Sequence, residues 1–178
     1  MMPRVVVLDA ALTATCPPSV TAHSGLDALV QAVESFTSVG ANPLTDALSG
    51  DAARRIALNL RRAFHHGDDL EAREEMLLGS YMAGVALNTS RLGLVHGLAH
   101  PIGARTGAAH GLLCGLLFPA VMRFNLPACA TKYQRVSHDL VVDNHSDALI
   151  EFVQRLLKET GVPTRLRDVG LEESALEE

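Results

Sequence analysis

The sequence predicts an all-α protein, a helical bundle, and three observations carry that prediction. Aromatic residues make up only 4% of the 178 residues and tryptophan is absent, while 48% are hydrophobic. The core must therefore be assembled from Leu, Ala, Val and Ile, which suits close-packed helices. From Ser24 onward the apolar residues recur with the period of an amphipathic helix. Only one segment, Arg4 to Asp9, has the β-branched run of a strand.

Length and charge narrow the class. A chain of 178 residues suits one domain with a sizeable core. A net charge of −5 excludes a nucleic-acid surface, which needs clustered Lys and Arg with aromatic platforms. The longest apolar run, Gly111 to Met122, is about a dozen residues and contains Pro119, well short of the roughly 20 that a membrane helix needs. The amino terminus has no signal-peptide pattern. Cys16, Cys114 and Cys129 are odd in number and lack CxxC spacing, so they read as reduced thiols. Together these features predict a soluble, cytoplasmic protein that handles a small molecule, with no nucleic-acid or membrane partner.

In chain order, Arg4 to Asp9 reads as a short buried strand between Pro3 and the loop from Thr13 to Pro18. A single strand forms no stable sheet, so its partners are expected outside this sequence. The first helix is predicted from Ser24, with Leu26, Leu29, Val30, Val33 and Phe36 as its buried stripe and Asp27 and Gln31 one turn apart. The helix dipole alone accounts for a carboxylate near that end. Asn42-Pro43 opens the second helix as N-cap and first-turn proline, and Gly67 closes it after His65 and His66. Its arginines, Arg54, Arg55, Arg61 and Arg62, have the spacing of a solvated face rather than of a phosphate site.

Asp68 and Asp69 are placed to cap a third helix from Leu70 to Asn88, whose small residues Gly79, Ser80, Ala83, Gly84 and Ala86 permit close packing. Ser90 is the expected cap of a fourth helix carrying His96 and His100, which Pro101 should kink or end. A fifth helix is predicted from Ala108 to Phe124, with a bend or break at Pro119, and a separate short one from Tyr133 to Leu140. The last runs from Ser146 to Glu159, stopped by Gly161 to Pro163. The tail from Leu166 to Glu178 resembles the start of a further acidic helix.

The chemistry concentrates between Leu92 and Leu113. His96 and His100 stand one helical turn apart, His110 follows, and glycines at 97, 103, 107 and 111 allow close approach. A single helical histidine is most often a hydrogen-bonded core or surface residue. Three among Gly, Ala and Leu point to a metal or proton-transfer site, imidazole being suited to both.

Four ordered blocks carry a family resemblance. They are Gly25-Leu26-Asp27-Ala28-Leu29-Val30-Gln31-Ala32-Val33-Glu34, Ala41 to Asp46, Gly93 to Gly103 with both histidines, and His110-Gly111. Nearly the whole chain thereby resembles the iron-containing (group III) alcohol dehydrogenases. The resemblance implies a two-domain enzyme: an amino-terminal Rossmann-like domain for NAD(P), and a dehydroquinate synthase-like helical domain holding the metal. Residues 1–20 would then be the remnant strand and linker of the first domain, and 21–178 the helical domain, incomplete at its end.

By the family's pattern the metal ligands fall on Asp27, Gln31, His96 and His110, with His100 as a catalytic, non-ligating histidine. The family's usual residue at position 31 is His, and an amide is the weaker donor. Asp27, His96 and His110 remain as a set suited to Fe²⁺ or Zn²⁺, which leaves a weaker iron site, a three-ligand zinc site and a metal-free pocket as the alternatives. The implied activity is interconversion of small alcohols with aldehydes or ketones, with NAD(P) bound by a domain outside this sequence, so the isolated chain is expected to be inactive. A homo-oligomer, or pairing with a nucleotide-binding domain, is the expected assembly. Two other readings stand beside it: a non-catalytic helical module or fragment, and a metal-dependent lyase or hydrolase on the same scaffold.

Overall fold

The computed structural model describes residues 3–140, 145 and 147–176. Six α-helices occupy them: α1 (Pro18–Thr37), α2 (Pro43–His65), α3 (Leu70–Ser90), α4 (Leu94–Thr106), α5 (His110–Asp139) and α6 (Ala148–Glu159). Three short 3₁₀ turns, Ala10–Thr13, Leu166–Val169 and Glu173–Leu176, complete the regular structure.

α1 begins earlier than the apolar period suggests because Pro18 supplies a preorganised first-turn residue. Its predicted stripe of Leu26, Leu29, Val30, Val33 and Phe36 is buried, and α2, α3 and α5 pack around it. α2 opens as expected, on a reciprocal box in which Asn42 and Thr45 cap one another's backbone. α2 and α3 lie closely together at Gly79, where a Cβ would come within 2.7 Å of Ile56 Cγ1. The arginines of α2 form surface ion pairs, Arg54 and Arg55 with Asp51, Arg55 with Glu75, Arg62 with Asp69 and Glu71, and Arg61 with Glu159.

Several expectations are corrected. Arg4 to Asp9 forms no strand, and among the described residues there is none; Val5 and Val7 are exposed, because no second strand is present to complete a ladder. Ser90 does not cap the fourth helix. It ends α3 with its hydroxyl donating to the Ala86 carbonyl, and the chain turns through Arg91 at φ 68° before Gly93 opens α4. Pro101 neither ends nor breaks α4, which continues to Thr106. The carbonyl that loses its helical donor belongs to Gly97, an exposed residue, so water can take over that bond.

The predicted fifth and sixth segments are one helix, α5, of 30 residues running through Pro119 and Pro127. Burial of Leu113 to Pro119, Val121, Met122, Tyr133 and Val136 along one continuous axis outweighs the local cost of the prolines. By length and composition α5 is apolar enough to cross a membrane, but half of its apolar window is buried against the other helices, as in a core helix. The tail is two 3₁₀ turns separated at Gly170, in the left-handed conformation at φ 83°, rather than one helix. Ser146, the expected start of the last helix, and Glu177 and Glu178 of the tail lie outside the described residues.

Candidate metal centre

Three helices deliver the functional side chains. On α1, Asp27, Gln31 and Glu34 follow at intervals of four and three residues and so share one face. Two glycines let α4 and α5 close on that face. At Gly111 a Cβ would lie 2.1 Å from the His23 carbonyl oxygen, so the first turn of α5 rests directly on the α1 backbone and sets His110 beside Asp27. At Gly93 a Cβ would lie 2.7 Å from Glu34 Oε1.

Glu34 is buried and supplies the cap that α4 lacks in its own sequence. The Val95 amide donates to Oε1 at 2.7 Å, the Gly93 amide to Oε2 at 3.0 Å, and His96 Nδ1 to Oε2 at 2.7 Å. A carboxylate at a helix amino terminus is stabilised by the dipole. Here it also fixes the His96 ring, turning Nε2 toward Asp27 Oδ1 at 3.2 Å.

His110 Nε2 stands 3.6 Å from the same Asp27 oxygen. One turn along α5, Cys114 Sγ lies 3.5 Å from His110 Nε2. One donor atom from each of Asp27, His96, His110 and Cys114 lies within 4.8 Å of all the others. The second Asp27 oxygen accepts a hydrogen bond from Gln31 Nε2 at 2.9 Å. His100 is exposed, and its Nδ1 donates to the His96 carbonyl at 2.5 Å, leaving Nε2 as the acceptor nitrogen. Its ring centroid is 5.0 Å from that of His110.

The electrostatics follow from this crowding. Burial opposes charge on His96, but hydrogen bonds to Asp27, Cys114 and Glu34 outweigh it and push the imidazole up to about 11. Burial likewise opposes the Asp27 carboxylate, and the His96 hydrogen bond with the His96 and His110 charges holds it below the usual range. Burial raises the Cys114 thiol. One carboxylate, two imidazoles and a thiol are a donor set for a borderline transition metal and not for Mg²⁺ or Ca²⁺, which prefer all-oxygen shells. The residues present fit a divalent Fe or Zn ion.

Asp27, His96 and His110, singled out in the sequence, thus come together, with Gln31 and His100 beside them. Sequence reasoning missed Glu34 and Cys114. Both carried a signal: an acid two turns after Asp27 on the same face, and a thiol one turn after His110.

Comparison with known proteins points the same way. Residues 21–178 match the model of the Fe-containing alcohol dehydrogenase family, C-terminal part. Over 171 residues the chain is 42% identical to the probable alcohol dehydrogenase EutG of Escherichia coli, covering 96% of this chain and 43% of that protein. It is 38% identical to the 1,3-propanediol dehydrogenase of Klebsiella pneumoniae, covering 97% of this chain and 46% of that protein. The crystal structure of a 1,3-propanediol oxidoreductase superposes with a TM-score of 0.94 at 36% identity, over 99% of this chain and 50% of that one. A sulfoacetaldehyde reductase from Bifidobacterium kashiwanohense, solved with NAD⁺, superposes with a TM-score of 0.91 at 31% identity, over 99% of this chain and 46% of that one. The chain spans about half the length of these relatives.

Proposed function

This chain belongs to the Fe-containing alcohol dehydrogenase family, an oxidoreductase family, and from that premise we propose that it is the metal-binding helical part of an NAD(P)-dependent dehydrogenase. The complete enzyme interconverts small alcohols with aldehydes or ketones in the cytoplasm, and the nicotinamide is held by a nucleotide-binding domain outside these 178 residues. The observation that carries the reading is the convergence of Asp27, His96 and His110 from three helices on one point.

In this reading Asp27, His96 and His110 hold Fe²⁺ or Zn²⁺, and Gln31 steadies Asp27 through its second oxygen. When bound, the metal supplies Lewis acidity toward an alcohol oxygen. Asp27 brings the negative charge that offsets the cation. Glu34 fixes the tautomer and aim of His96. His100, exposed at the edge of the cluster with Nε2 free to accept, takes the hydroxyl proton toward solvent. Gly97 beside it leaves the approach open, since nothing lies within 4 Å of where a Cβ would stand.

Metal analysis of the chain and of His110→Ala tests the assignment. Unaltered protein should retain stoichiometric metal after desalting and the variant should retain markedly less, because one imidazole of the set is gone. Equal metal in both would refute the ligand set.

A further inference from the structure

We infer that Cys114 is a fourth metal ligand, and that its sulfur makes this a centre preferring Zn²⁺ to Fe²⁺. The inference rests on the ligand reading proposed above and goes beyond it. A tetrahedral zinc site with bonds of about 2.0–2.1 Å to nitrogen or oxygen and about 2.3 Å to sulfur has donor-to-donor edges of about 3.4 and 3.6 Å. Three edges of such a figure are present: His96 Nε2 to Asp27 Oδ1 at 3.2 Å, His110 Nε2 to Asp27 Oδ1 at 3.6 Å, and Cys114 Sγ to His110 Nε2 at 3.5 Å. All four donors lie within 4.8 Å of one another, so small side-chain shifts close the remaining edges.

A buried free cysteine ordinarily behaves as a small apolar residue. Cys114 is fully buried, yet its sulfur faces an imidazole nitrogen of the cluster. Gln31 does not compete for the position, because its amide N–H is turned to Asp27 Oδ2. The other two cysteines are remote. Cys16 precedes α1, and Cys129 lies 15 residues further along α5, about 22 Å at the helical rise of 1.5 Å per residue. Thiolate favours Zn²⁺ over harder oxygen-seeking ions, whereas imidazole and carboxylate accept either Zn²⁺ or Fe²⁺. The sulfur is therefore the donor that discriminates. On binding, the S–H proton leaves to solvent and the sulfur–metal bond replaces it.

The test is zinc-edge X-ray absorption on the zinc-loaded chain, carrying Cys16→Ser and Cys129→Ser so that Cys114 is the sole cysteine. One sulfur scatterer at about 2.3 Å is expected. Adding Cys114→Ser should remove that scatterer and weaken zinc by more than about 100-fold, beyond the 10–100-fold typical of losing an outer partner of a ligand. The preference for Zn²⁺ over Fe²⁺ in competition should shrink with it. If the serine variant does not fold, the spectrum of the chain with Cys114 intact decides alone. Stoichiometric zinc with nitrogen and oxygen scatterers only would overturn the thiolate ligand and leave Asp27, His96 and His110 standing. Failure to bind stoichiometric zinc or iron at all would overturn both.

Discussion

Replacing Glu34 by Gln removes one charge and one acceptor while keeping the side chain's shape. Oε1 serves the Val95 amide, and Oε2 serves both the Gly93 amide and His96 Nδ1. If the new NH₂ takes the place of Oε2, it opposes the Gly93 amide with a donor and donates to His96 Nδ1. The His96 proton then moves to Nε2, the nitrogen that faces Asp27, and the lone pair leaves the metal position. If the amide turns over, His96 keeps its partner but the buried Val95 amide loses its own. Either orientation strands one backbone donor and removes the carboxylate from a helix amino terminus, a loss of about 1–3 kcal/mol. Guanidinium denaturation with a chelator present should read that loss. The first orientation predicts in addition that zinc affinity, measured against a chromophoric chelator, falls about 10–100-fold. A stability change under about 0.5 kcal/mol, with zinc affinity unchanged within about twofold, would refute the dual role of Glu34.

Gly111→Ala places a methyl group where only 2.1 Å separates it from the His23 carbonyl. It should cost at least about 1–3 kcal/mol by overpacking and release metal as His110 moves; unchanged melting temperature and metal content would show that α5 does not depend on this contact. Gln31→His should increase retention of Fe²⁺ in competition titration, and equal or lower retention would mean that the side chain at 31 does not face the metal. With metal chelated, His96 is a group whose folded-state pKa, about 11, lies above the unfolded 6.5. Its stabilisation is complete below about pH 6.5 and is lost as pH rises toward 11. Unfolding measured at pH 7 and pH 9 should therefore show a decline that His96→Gln lacks.

Much of this arrangement could be read from residue order. The caps at Asn42 and Asp69 set α2 and α3 to within a turn, and the stripe from Leu26 to Phe36 gives the buried face of α1, though not its start at Pro18. The resemblance brought Asp27, His96 and His110 together across long sequence distances, which spacing alone cannot do. The failures share one cause. Pro119 is a strong local breaker, overruled because the apolar residues on both sides of it are buried along a single axis that also runs through Pro127. The run from Arg4 to Asp9 is a strong local strand signal, and it forms none among the described residues because strand formation needs a partner.

Glu34 and Cys114 show where periodicity stops being informative. Helical spacing puts Glu34 on the face of Asp27 and Cys114 on the face of His110, but it does not say what stands opposite. For Glu34 the opposite object is the amino terminus of another helix, made reachable by the missing side chain at Gly93. The carboxylate that caps α4 is thereby also the one that turns His96 Nε2 toward Asp27. One residue thus holds both the start of α4 and the His96 ring, so α4 cannot be repositioned without moving the proposed ligand. Cys114 depends on the same logic through α5: the contact of Gly111 with the His23 carbonyl that seats His110 also fixes the sulfur one turn later. The centre is therefore specified by two helix contacts and not side chain by side chain.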